Sequence, residues 1–246
     1  MILPQDRSFK AFLTSLMQSL TLADGKVLRT IWYVVSRPGF VSREFSNGRR
    51  VRYLRPIQLF FALNLLYFLF PVIQLFNASL NTQRRGLAKP LVEEWVARKM
   101  IAESIHNIES FSLIYDQKTA SLAKLIVMVF VVIAALPLSL LYRKRGYFFI
   151  DHMGLMVELV CFNLFINALL LTAALRFFGL GHFTNDLVLS LIFLLTNFYF
   201  LIRSGWEFYR ESNIKLVVKT ILMIALLRIS LEVYRGILFV VTMWLL

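Results

Sequence analysis

The 246 residues include one cysteine, Cys161, so neither an intrachain disulfide nor a four-cysteine metal site can form. It lies within an apolar run, where cysteine serves as a small packing residue. The three histidines are scattered. His106 is isolated, while His152 and His182 fall at opposite ends of one apolar run, a poor arrangement for shared ligation. Neither a metal centre nor a cofactor is expected. The sequence has no nucleoside-triphosphate phosphate loop, dinucleotide fingerprint, His-Glu-x-x-His pair or Gly-x-Ser-x-Gly elbow. Those familiar chemistries lack their residues here, and no catalytic residue is assigned. The opening residues, MILPQDRSF, have no basic stretch leading into an apolar one, so no cleavable signal peptide is expected.

Acidic residues are also scarce, 14 against 27 Lys and Arg, which leaves a net charge of +13. Such a charge can mark a nucleic-acid binder. Here much of it sits beside apolar runs, so anionic lipid headgroups and membrane orientation explain it more simply. Nucleic acid is not an expected partner; membrane lipids are.

Apolar residues are what the chain has in abundance. They make up 59%, with 23 Phe and a mean hydropathy of +0.69, against about 45–50% in a soluble domain. The expected fold is all-α, a polytopic membrane bundle with about five transmembrane helices preceded by amphipathic cytoplasmic helices. Residues 1–55 form the basic interfacial part, and 56–246 the membrane domain with an external helical loop at about 77–121. Spans are expected at Pro56 to about Phe76, Leu122–Tyr142, Met153–Ala174, Leu187–Ile202 and from Leu216 onward. Pro71 should kink or end the first. As one helix, 213–246 would be about 51 Å long against about 30 Å of hydrocarbon. Either the helix emerges as a long apolar stub, or the stretch breaks into an in-plane part and a spanning part; a single crossing with one end at the interface is favoured.

Basic residues set the orientation. Residues 1–55 hold ten Lys or Arg against three acids; Arg143, Lys144 and Arg145 follow the second span, and Arg203, Arg210 and Lys215 the fourth. The rule that cytoplasmic loops are basic puts these segments inside; five crossings leave the C-terminus outside, and a re-entrant or in-plane terminal stretch returns it inside.

Outside the lipid, Phe9, Phe12, Leu13, Leu16, Met17 and Leu20 recur at helical spacing, and Val27, Leu28, Ile31, Val34 and Val35 form a second amphipathic helix ending before Pro38-Gly39. They either lie on the cytoplasmic leaflet or pack on the bundle. A helix from Pro90 to about Ile108 should anchor through Val92, Trp95, Ile101, Ile105 and Ile108. Arg203, Glu207, Glu211, Lys215 and Lys219 step by four, reading as the wet side of a helical connector with a Glu211–Lys215 pair.

Charges inside apolar sequence are the candidate functional residues. Arg228 and Glu232 are one turn apart with Arg235 close behind, so mutual pairing is expected, and the trio should face the bundle or bend toward an interface. Glu158 is the other intramembrane acid and should approach Arg228 or Arg235. Asn163 and Asn167 share a face of the same span; with Asn64 and Asn197 they either join helices by hydrogen bonds or line a polar cavity. Headgroup contacts are assigned to Arg49, Arg50, Arg52, Arg55, Arg143, Lys144 and Arg145.

The stretch from Gly25 to Phe70 contains Gly25-Lys26, Arg37-Pro38-Gly39, Arg43-Glu44-Phe45, Gly48-Arg49-Arg50 and Tyr53-Leu54-Arg55-Pro56, followed by Asn64 and Tyr67. It resembles the bacterial inner-membrane family known only as domain of unknown function 3667. The resemblance supports the topology and implies no mechanism, because the family has no established activity. Its members begin with a cysteine-pair segment similar to a zinc ribbon, which is missing here, so a metal role for that segment does not transfer.

Three functions compete. The first is a non-enzymatic component of envelope assembly, stress response or regulation, acting through lipid or protein contacts, with a membrane-protein partner or a homo-oligomer. The second is a small oligomeric transporter or channel for an anion or amphipath, built on Glu158, Arg228, Glu232 and Arg235. The third is a lipid-modifying enzyme using Asp151, His152 and Arg143.

Overall fold

The protein is described by a computed structural model, which places residues 25–49, 52–70, 73, 75–77, 79–85, 89–105, 107–143, 146–179 and 186–246. The expected helix from Phe9 to Leu20, together with Arg50, Pro71, His106, Lys144, Arg145 and His182, lies outside the described residues. The described elements are helical: α1 (25–36), α2 (Phe40–Ser46), α3 (Pro56–Leu69), α4 (Leu80–Arg85), α5 (Lys89–Ala102), α6 (Ile108–Leu141), α7 (Phe149–Asn163), α8 (Leu171–Phe177), α9 (Asp186–Glu207) and α10 (Ile214–Leu245). A π-helical stretch, Leu164–Leu170, joins α7 to α8 without a break. Three of these rods are long and apolar enough to cross a membrane: Ile108–Leu141, Phe149–Phe177 and Leu187–Glu207. This is an all-α membrane bundle.

The helix lengths differ from those expected. The first apolar run stops after 14 residues at Leu69, about 21 Å of helix. Phe70 is extended, as a residue preceding proline favours. Some of the chain beyond is held by side chains: Thr172 Oγ1 accepts from Ile73 N–H and the Tyr67 hydroxyl from Leu75 N–H. The second span begins far earlier than Leu122. Asn107 caps it by accepting from Glu109 N–H at 2.8 Å, and α6 then runs 34 residues, about 51 Å. Of the two forms open to 213–246, the unbroken one is found: α10 is one 32-residue helix.

These two long helices pack antiparallel. Tyr234 donates to the Ala123 carbonyl at 3.1 Å, and Thr119 meets Thr242 hydroxyl to hydroxyl at 3.1 Å. These contacts tie α6 to α10 at two levels two to three turns apart on α10. Beyond the main core their ends join α4 and α5 in a second cluster of Leu80, Val92, Val96, Phe111, Tyr115, Phe239 and Met243. Of the anchors expected for α5, Val92 is buried and Ile105 packs on this cluster, whereas Trp95, Ile101 and Ile108 are exposed.

The connector after the fourth span is not a continued helix. α9 ends at Glu207, and Arg210 takes a left-handed φ of 53°. The turn removes Glu211 from helical register, so it pairs with Lys219 at 2.8 Å rather than with Lys215. Glu207 and Glu211 are buried, contrary to the wet stripe read from their spacing.

α1 ends at Ser36, before Pro38-Gly39, as its pattern indicated. Thr30 and Val34 face the bundle, while Lys26, Arg29, Leu28 and Trp32 point outward. Gly39 turns the chain at φ 85°, and a Cβ there would lie 3.0 Å from Ser204 Cα. Gly48 has a similar φ of 80° but open space around it. Replacing Gly39 by Ala should cost about 2 kcal/mol, and Gly48→Ala about 1, since only the first adds crowding to left-handed strain. Thermal unfolding in detergent micelles checks this; equal losses would refute the close approach.

Candidate functional site

The most polar buried site lies where α2 docks on α7 and α9. Glu158, two and a half turns into α7, is fully buried. Its Oε1 accepts from Gly39 N–H at 2.8 Å; its Oε2 accepts from Ser42 N–H at 2.9 Å and from the Ser42 hydroxyl. A short helix such as α2 leaves its first N–H groups unpaired within the helix, and a carboxylate at that end satisfies them with favourable dipole orientation. The expected approach of Glu158 to Arg228 or Arg235 is therefore incorrect. Backbone and hydroxyl donors from α2 take the place assigned to an arginine.

Further contacts bind α2 around this point. Arg43 pairs with Glu207 at 2.6 Å and lies over the Phe40 ring. The Ser46 hydroxyl donates to Asp151 Oδ1 at 2.7 Å, while Asp151 Oδ2 caps α7 by accepting from Phe148 N–H. His152 is buried with Nδ1 2.6 Å from the Tyr209 hydroxyl. Burial pushes the Tyr209 phenol far above its ordinary range, so it remains a neutral hydrogen-bonding group. Asp151 and His152 thus have structural partners, and Arg143 is exposed at the surface.

A second buried network joins α7 to α9. Asn163 and Asn197 exchange amide hydrogen bonds at 3.0 Å in both directions. Asn167 donates to Asn163 Oδ1 at 2.7 Å and bonds Thr196. Asn163 also donates to the Leu159 carbonyl at the start of the π-helical stretch, a side-chain insertion of the kind that loosens the regular ladder. The network is closed on itself and acts as a helix–helix lock.

The charged trio on α10 is brought together but splits between two surroundings. Glu232 lies 2.9 Å from Arg228 and 3.2 Å from Arg235. The Arg235 side chain is only 14% exposed and also donates to the Asn77 carbonyl at 3.3 Å. Arg228 and Glu232 are 68% and 48% exposed on the outer face of the helix. They do not enclose a cavity with Glu158, whose bonds go to α2. A small crevice between Tyr142, Ser204, Gly205, Lys219 and Thr220 has room for about one water.

Arg49, Arg52 and Arg55 are exposed beside the start of α3. No group of His, Cys, Asp and Glu able to hold a metal occurs among the described residues. Sequence reasoning missed Gly39 and Ser42 as partners of Glu158, Glu207 as the partner of Arg43, and Thr196. The Pro38-Gly39 turn was the one available signal for the first.

Bundle and docked segment define a multi-helix membrane protein. Residues 24–68, which comprise α1, α2 and nearly all of α3, match the family described as Protein of unknown function (DUF3667), a distant resemblance over that segment. No curated protein and no solved structure matches the chain.

Glu158→Ala should strand three buried donors and cost on the order of 3 kcal/mol. Faster amide hydrogen exchange should be concentrated in residues 37–46, with a smaller effect in Ser42→Ala. Unchanged exchange in that segment would show that the carboxylate does not hold α2.

Proposed function

We propose that the protein is a non-enzymatic component of the bacterial inner membrane, acting in envelope assembly, stress response or regulation through anionic lipid at its inner rim. The chain crosses the bilayer five times in this reading, with the N-terminus in the cytoplasm and the C-terminus in the periplasm. From Lys124 to Tyr142, α6 covers about 27 Å, and from Lys219 to Arg235, α10 covers about 24 Å, both close to the hydrocarbon thickness. Arg235 and Lys124 then mark the outer boundary, and the cluster around α4 and α5 projects into the periplasm.

The carrying observation is the outward face of α1. Leu28 and Trp32, each 68% exposed, stand among exposed Lys26, Arg29 and Arg37, with Arg49, Arg52 and Arg55 nearby in the chain. Apolar and aromatic groups flanked by cations suit the headgroup layer of an anionic leaflet. Glu158 fixes this surface to the bundle through α2, so lipid binding there would be felt at α7.

Each cation near an anionic surface contributes about 1 kcal/mol. Combining Arg49→Gln, Arg52→Gln and Arg55→Gln should lower retention of anionic phospholipid at least about tenfold. Quantitative lipid mass spectrometry of the protein in native-lipid particles measures it. Retention equal to that of the unsubstituted protein would overturn the reading.

A further inference from the structure

Arg228 and Glu232 pose a problem that lipid cannot solve. They lie on the face of α10 turned away from the bundle, among exposed Ile229, Val233 and Ile237. On the membrane placement given above, on which this inference rests, the Arg228 backbone is about 10 Å inward of Arg235 and the Glu232 backbone about 4 Å. Hydrocarbon covers the apolar neighbours well. It leaves the ion pair exposed to a medium where each charge costs a few kcal/mol or more.

The surroundings point to what covers it. Arg228, Glu232, Gly236 and Val240 follow one another at four-residue steps, forming a single ridge along the helix. Gly236 is exposed, with nothing within 4 Å of where its Cβ would stand. A glycine on such a ridge lets a second helix come close. The ridge also carries one charge of each sign, one turn apart, so it is complementary to its own copy. In a parallel pair related by a two-fold along the membrane normal, the partner's Glu232 lies at the same depth as the chain's own. Arg228 already extends one turn to reach Glu232 at 2.9 Å, and the same extension reaches across the axis.

We infer that the protein is a homodimer in the bilayer, joined along the outer ridge of α10, with Arg228 of each chain paired to the partner's Glu232 beside Gly236. A four-charge cluster forms at the axis, withdrawn from lipid and alternating in sign.

The test is subunit counting of labelled full-length protein by single-molecule photobleaching in phosphatidylethanolamine–phosphatidylglycerol liposomes at fixed density. The unsubstituted chain should give mostly two-step traces. Arg228→Glu places two acids on each ridge and Glu232→Arg two bases, so each variant alone should lose at least about tenfold in dimer population. Mixed one to one in two colours, they should recover as heterodimers, because every acid then faces a base. Gly236→Leu fills space that is empty in the single chain, so it should leave the fold intact and abolish the dimer. Single-step traces from the unsubstituted protein, or a mixture that does not pair, would overturn the inference. Lipid retention of the same variants in native-lipid particles reports separately on the inner rim, so either proposal can fail alone.

Discussion

A carboxylate buried in a membrane bundle must be met by donors, and Glu158 shows how strongly that requirement organises the rest. Its three hydrogen bonds come from one short stretch, Gly39 and Ser42, more than a hundred residues away in the chain. Meeting them fixes where α2 begins, and the left-handed turn at Gly39 lets the backbone come close enough to Ser204 to do so. Once α2 is seated, Arg43 falls beside Glu207 and Ser46 beside Asp151. The segment that resembles the family of unknown function is therefore tied to the bundle by its own polar groups and does not merely lie upon it.

The same accounting governs the non-helical backbone. Away from water, an unpaired N–H or carbonyl costs several kcal/mol. Where the chain leaves helical form, side chains take over. Thr30 accepts from Leu54 N–H before α3, Thr172 and Tyr67 serve the stretch after it, and Asp116 accepts from Leu80 N–H where α4 begins. This explains how α3 can be short.

The features legible in the sequence were those with a local period. Hydropathy located the apolar runs, and the three- and four-residue spacing of Val27, Ile31 and Val34 gave α1. The helix ends were less visible. The early part of α6, Glu109 to Lys118, mixes polar and apolar residues; it is helical because Phe111 and Tyr115 pack on α5 and α10, which no local pattern records. α2 has seven residues, too few to show a period. The partner of Glu158 was hidden for another reason. An acid in an apolar run suggests a basic partner, but backbone N–H groups carry no letter in the sequence. The Glu211–Lys215 pair failed similarly, because the spacing rule holds only while the helix continues, and the chain turns at Arg210.

Two kinds of intramembrane polarity can now be separated. The Asn163–Asn167–Asn197–Thr196 network bonds within itself, and Glu158 is met by three donors from α2; such groups specify which helices pack and at what register. The Arg228–Glu232 pair is satisfied in charge but not in surroundings, since it faces outward from an apolar helix. A closed buried network needs nothing from outside the chain, whereas an outward-facing ion pair would at the depth proposed for it. That difference, rather than the number of charges, directs attention away from an internal pathway and toward the outer face of α10.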